Sequence, residues 1–109
     1  MEVLGEGVCL WDFYIKGEPL IVDDKQFPPL DDCRGKILVT HIPSPDIVLY
    51  MRDALAVVAE TGGVLCHAAV LALELGCPII VAAEGVVEKT KNKTEIALEG
   101  INGQGIIYA

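Results

Sequence analysis

Apolar positions fall in short blocks separated by glycine, proline and acidic clusters, and the spacing inside each block predicts its conformation. Val8 to Ile15 and Pro19 to Val22 read as two short strands joined around Gly17. Asp23 to Gly35, with Pro28-Pro29 and Asp31-Asp32, reads as a polar surface loop. Lys36 to Thr40 is rich in β-formers and predicts a central strand. Ser44-Pro45-Asp46 has the makings of a helix start: a capping hydroxyl, a proline suited to the first turn and a carboxylate suited to the positive dipole end. That helix is expected to run to Asp53 or Ala54, with Ile47, Val48 and Met51 facing inward. Leu55 to Ala59 follows as a buried strand. After a Gly62-Gly63 turn, an apolar helix is expected from Leu65 to Leu75. Gly76 stops it and Pro78 keeps it from resuming. Ile79 to Ala83 is a further buried strand, and Val86 to Lys93 a short turn or helix with exposed lysines. Thr94 to Leu98 and Gly105 to Tyr108 form a hairpin around Asn102-Gly103.

Strands dominate both ends of the chain and helices alternate with strands in the middle. This predicts an α+β or α/β domain with a mixed sheet folded partly on itself; a simple doubly wound sheet needs more helices. No repeat, low-complexity tract or linker interrupts the 109 residues, so 1–109 reads as a single domain.

Composition narrows the function classes. Hydrophobic residues make up 52% and aromatics only 6%, so the core is drawn from Val, Ile, Leu and Ala. The net charge of −8 disfavours nucleic acid, whose counterions Lys and Arg must replace, and disfavours an anionic membrane surface. Val64 to Ala83 is long enough to span a bilayer, but His67, Glu74, Gly76 and Pro78 break it into helix, turn and strand. The start of the chain lacks the basic and apolar regions of a secretory signal. Cys9, Cys33, Cys66 and Cys77 form no C-x-x-C pair and read as reduced thiols in a cytoplasmic protein. Cys66, His67 and Cys77 lack zinc-site spacing, so no metal site is expected. His41 reads as a loop surface residue, Trp11, Phe13 and Tyr14 as strand residues, and Lys89, Lys91 and Lys93 as a solvated basic spot.

The chemistry concentrates in Glu60 to Val81. His67 follows the Gly62-Gly63 turn and opens the apolar helix, where backbone N–H groups converge and favour an anion. Neutral imidazole offers a nucleophilic nitrogen without prior deprotonation, and a phosphoramidate can pass its phosphoryl group on. The N–H groups of Ala68 and Ala69 fall in the first helical turn, where they lack helical partners. Gly62 and Gly63 permit close backbone approach, and Cys66 adds a weak S–H donor. The candidate catalytic residue is His67, with Gly62, Gly63, Cys66 and Ala68 as phosphate-binding candidates.

This segment resembles the active segment of the phosphohistidine swivelling domain, the mobile domain of phosphoenolpyruvate-utilising enzymes such as phosphoenolpyruvate synthase, pyruvate phosphate dikinase and enzyme I. The matching residues are Glu60, Gly62-Gly63, Cys66-His67, Ala68-Ala69-Val70, Leu75-Gly76, Pro78 and Ile79-Ile80-Val81; Ile37 to Thr40 and Pro45-Asp46 also fit, so the likeness runs from about Lys36 to Tyr108. The resemblance implies a compact β/β/α swivelling domain with a mixed sheet and two to three helices. It implies that His67 is transiently phosphorylated and carries phosphate between an ATP or phosphoenolpyruvate site and an acceptor such as pyruvate. The partners implied are an ATP-grasp nucleotide-binding subunit or domain and a phosphoenolpyruvate/pyruvate-binding one. Mg²⁺ and ATP or phosphoenolpyruvate would be held there, with no cofactor bound by this chain, which would act as one component of a phosphotransferase.

Two positions depart from the family pattern: Leu65 stands where Thr is usual and Leu73 where Arg is usual. The helix is therefore apolar nearly all round and needs cover on more than one side, from its own domain or from a partner over Leu73. The alternative reading is a non-catalytic interaction or regulatory module that retains the swivelling-domain fold.

Overall fold

Gly5 and Gly7 interrupt the apolar pattern of the first strand, and at Gly7 the neighbouring strand leaves no room for a side chain. A Cβ on Gly7 would lie 2.3 Å from the Val81 carbonyl oxygen. The computed structural model describes residues 1–23 and 25–109. It opens with β1 (Val3–Cys9) and β2 (Phe13–Gly17), so the expected strand Val8 to Ile15 is in fact the end of one strand and the start of another. The corner between them is fixed by Asp12, whose Oδ1 accepts the Asn102 N–H at 2.9 Å. Next comes β3 (Pro19–Ile21), joined to β2 through Glu18 alone.

The expected loop from Asp23 to Gly35 includes Asp24, which lies outside the described residues. Its second half carries one helical turn, α1 (Leu30–Cys33), because Cys33 is drawn into the core at 1% exposure. β4 (Ile37–Thr40) follows. The segment after it is a 3₁₀ helix (Pro45–Tyr50), shorter and tighter than the helix expected from Ser44 to Ala54. Ser44 starts it without a side-chain cap, Ile47 and Met51 are buried, and Tyr50 donates its hydroxyl to the Pro28 carbonyl at 3.1 Å. The remaining elements are β5 (Ala56–Ala59), α2 (His67–Leu75), β6 (Ile79–Val81), α3 (Val86–Thr90), β7 (Ile96–Ile101) and β8 (Gln104–Tyr108).

One eight-stranded mixed sheet runs in the order β2-β7-β8-β1-β6-β5-β4-β3. From β3 to β6 the neighbours are parallel; from β6 through β1, β8, β7 and β2 they are antiparallel. β4 is therefore next to an edge rather than central, although all four of its residues are buried. Asn102 (φ 52°) and Gly103 (φ 85°) both adopt the left-handed turn conformation that the β7–β8 hairpin requires.

Alternation along the parallel strands splits the core in two. Leu38, Val57, Ala59, Ile79 and Val81 pack with Ile47, Met51, Ala68 and Ala72 under α2 and the 3₁₀ helix. Ile37, Val39, Ala56, Val58 and Ile80 pack with Ile96, Leu98 and Ile107 of the antiparallel half and with Val86 and Val87 of α3. The sheet thus folds back over itself, giving antiparallel strands, parallel strands and helices as successive layers of an α+β domain. Among the described residues no helix is long and apolar enough to cross a membrane.

Candidate functional site

The C-terminal ends of the parallel strands carry the site, the usual place for ligands where loops leave a parallel sheet. Three loops meet there and are tied together by backbone bonds. Glu60 N–H donates to the Thr40 carbonyl at 3.1 Å, Thr61 N–H to the His41 carbonyl at 3.2 Å, and Ala83 N–H to the Ala59 carbonyl at 3.0 Å. The Thr61 hydroxyl also donates to the His41 carbonyl, at 3.1 Å. Beyond Thr61 the chain turns through Gly62 at φ +100°, a conformation that L side chains rarely adopt. A Cβ there would meet Pro43 Cγ at 3.0 Å and Cys66 Sγ at 3.4 Å, whereas one on Gly63 would meet nothing within 4 Å. Gly63 accepts the Cys66 N–H at 3.0 Å, and that turn delivers the chain into α2.

α2 begins at His67, two residues later than the expected Leu65, because Val64 and Leu65 are spent in the turn. Cys66 is the N-cap residue and contributes no side-chain bond; its carbonyl accepts the Val70 N–H at 3.1 Å. The amides of Ala68 and Ala69 therefore lie in the first turn, and both side chains are buried against the sheet. His67 itself is exposed. Gly76 closes the helix in the left-handed conformation at φ 71° and donates to the Ala72 and Leu73 carbonyls.

The structure thus brings Gly62, Cys66, His67 and Ala68 onto one loop and helix start, with Gly63 open to solvent beside them. From 53 to 88 the sequence has no Lys or Arg, so this segment offers backbone amides and a helix dipole but no side-chain cation. The helix face opposite the buried alanines is apolar and uncovered: Val70 is 42% and Leu73 57% exposed, and Leu65 just before it is 87% exposed. The domain does not enclose this helix.

His41 lies exposed in the loop after β4, as expected, yet it is not isolated. Its Nδ1 is 3.0 Å from Glu60 Oε1, and Glu60 Oε2 accepts the Val87 N–H at 2.8 Å. His41, Glu60, Gly85, Val87, Glu88 and Lys91 line a cleft of about 320 Å³. Sequence reading passed over this cluster because its members come from three separate loops; the one signal was Glu60, an acid two residues before the glycine pair. Lys91 and Lys93 pair with Glu88 and Glu2 at the surface. All four cysteines are free thiols. Burial pushes the Cys77 thiol up to about 11; burial, seconded by Asp12 and Asp32, also raises Cys9 and Cys33. Among the described residues no group of three or more His, Cys, Asp or Glu is arranged to hold a metal ion.

Comparison with known proteins places this sequence among relatives. Residues 33–103, more than half of the chain, match the family described as PEP-utilising enzyme, mobile domain. The phosphoenolpyruvate synthase of Aquifex aeolicus is 34% identical over 98% of this chain. Those of Aeropyrum pernix and Neisseria meningitidis serogroup B are 38% and 41% identical over 70% and 69% of it. The chain spans only 12%, 9% and 10% of the lengths of these three proteins, respectively.

Proposed function

Because the chain belongs to the mobile-domain family of PEP-utilising enzymes, we propose that it is a phosphoryl carrier in which His67 is transiently phosphorylated. The observation that carries this reading is an exposed imidazole at the open first turn of α2, beside a glycine turn with free space around Gly63. A ring nitrogen of neutral His67 attacks the terminal phosphorus of ATP or phosphoenolpyruvate held on a partner. The bond from that phosphorus to its leaving oxygen breaks, and the nucleotide or enolate departs. The Ala68 and Ala69 amides and the positive end of α2 favour the phosphoryl charge, with Gly62, Gly63 and Cys66 shaping the approach. A second partner site, such as one holding pyruvate, then takes the group.

The donor partner is read as an ATP-grasp nucleotide-binding subunit or domain and the other as a phosphoenolpyruvate/pyruvate-binding one. Mg²⁺ on those partners would neutralise charge on the transferring group. Cationic side chains must also come from them, given the run without Lys or Arg from 53 to 88. The exposed Leu65, Val70 and Leu73 beside the imidazole suit an apolar patch on such a partner. The free thiols suit a reducing cytoplasm.

That same apolar face favours the second reading, a non-catalytic docking module with the fold retained. Incubating the chain with ATP or phosphoenolpyruvate and the candidate partners separates the two. The carrier reading expects an acid-labile, alkali-stable phosphoryl adduct that disappears in His67→Ala. No adduct with any partner combination, while tight partner binding persists, overturns it in favour of docking.

A further inference from the structure

Glu60 differs from the other paired carboxylates among the described residues. Its side chain is 16% exposed, against 57–85% for the acids in the other ion pairs. Both oxygens are engaged, one with His41 Nδ1 at 3.0 Å and one with the Val87 N–H at 2.8 Å. A half-buried carboxylate spanning three chain segments does more than decorate a surface, since losing it strands a backbone donor at the start of α3. Its position in the chain gives the contact a direction. Glu60 and Thr61 are the last residues of this loop with described bonds to neighbouring segments; from Gly62 to Cys66 the described backbone bonds are local, Cys66 N–H to the Gly63 carbonyl and Val70 N–H to the Cys66 carbonyl. The short Gly62–Cys66 segment therefore springs from the anchored pair Glu60-Thr61, in which Thr61 is tied to the His41 carbonyl and Glu60 to the His41 ring and the Val87 amide, and it ends at His67.

We propose that Glu60 is a positioning residue for His67: through His41 and the Val87 amide its carboxylate fixes the base of the glycine turn and so the placement of the imidazole and the first amides of α2. The proposal rests on the carrier reading for its consequence, because what is positioned is a phosphoryl acceptor. Glu88 of α3 and Lys91 just after it line the same cleft and are the other charged groups facing the pair.

The test avoids any unidentified partner by using phosphoramidate as donor. A ring nitrogen forms the new N–P bond, the P–N bond of the donor breaks, and the released ammonia takes up the proton the ring loses. The rate of His67 phosphorylation is followed by peptide mass spectrometry against the total His67-containing peptide, with His67→Ala as control. Amide hydrogen exchange at Cys66 and Val70 is measured in parallel. Glu60→Ala is expected to slow His67 phosphorylation at least tenfold and to speed exchange at both amides. Glu60→Gln, which can still accept from Val87, is expected to recover to within about threefold of the original rate. Ile107→Val, which trims a buried side chain on β8 away from the glycine turn, controls for a general loss of stability and is expected to leave the His67 rate unchanged. Equal slowing in Glu60→Ala and Ile107→Val, or no rescue by glutamine, overturns the proposal. If His67 takes no phosphate in the unaltered protein, the carrier reading is what fails; the exchange data then decide positioning, and unchanged exchange in Glu60→Ala overturns it.

Discussion

The two glycines before His67 are adjacent in sequence, but their surroundings predict opposite responses to the same added methyl group. Gly62 has φ +100°, and its Cβ would sit 3.0 Å from Pro43 Cγ. Backbone strain in a region other residues avoid costs about 1–3 kcal/mol, and the proline ring must also give way. For a domain of this size each kcal/mol is worth about 4–8 °C, so Gly62→Ala is expected to lower Tm by roughly 5–15 °C. Gly63 has neither problem: its φ is not positive, and nothing lies within 4 Å of its Cβ position. There the methyl group acts chiefly on the unfolded chain by removing conformational freedom, and Gly63→Ala is expected to stabilise the fold by about 0.4–1 kcal/mol. Thermal melts and urea titrations on the two variants and the parent give the comparison. Shifts of the same sign, or a larger loss at Gly63 than at Gly62, would refute the reasoning from φ and clearance.

Cys77 predicts a pH effect with a definite sign. Its thiol is raised to about 11 in the folded protein, against 9.0 for the free group. The unfolded chain therefore loses this proton first, and the stability contributed by the neutral thiol is intact below pH 9 and lost as pH rises from 9 towards 11. The difference in urea stability between the parent and Cys77→Ala should be flat from pH 7 to 8.5 and shrink by on the order of 1–2 kcal/mol by pH 11; a difference that grows is contrary to the burial argument. Leu73, 57% exposed, predicts a separation of folding from docking. Leu73→Asp should leave the urea stability within about 0.5 kcal/mol of the parent while reducing partner-dependent phosphorylation of His67 at least tenfold; unaltered transfer would remove the apolar face from the docking scheme.

What could be read in the chain was what local chemistry dictates. Gly76 and Pro78 end α2 where their backbone preferences say it must end, and Asn102-Gly103 makes the hairpin that its left-handed residues favour. The core strands at Ile37, Ala56 and Ile79 were legible as apolar runs bounded by turns. β1 escapes pattern reading because Gly7 makes room for a neighbour far along the chain, and nothing local to it reveals β6. The segment after Ser44 carries helix-start residues, yet it settles as a 3₁₀ helix with Ile47 and Met51 buried and Tyr50 bonded to Pro28. At the site, His67 and its glycine turn stood out by type and spacing. The link from Glu60 to His41 and Val87 did not, since it exists only once three loops meet. Leu65 and Leu73 run against the pattern altogether, as apolar residues just before and on an apolar helix that the domain leaves in solvent.

The close fit of β1 and β8 around β6 has a mechanical consequence. Ile80 fills space that the missing side chains of Gly7 and Gly105 leave free; a Cβ at either would come within 3 Å of its methyl or methylene carbons. That interlock binds the two sheet layers without a gap along which one could slide over the other. If the imidazole commutes between distant reaction centres, no internal gear supplies the stroke: the whole module must make the journey as one piece, keeping the nucleophile's aim unchanged from departure to arrival.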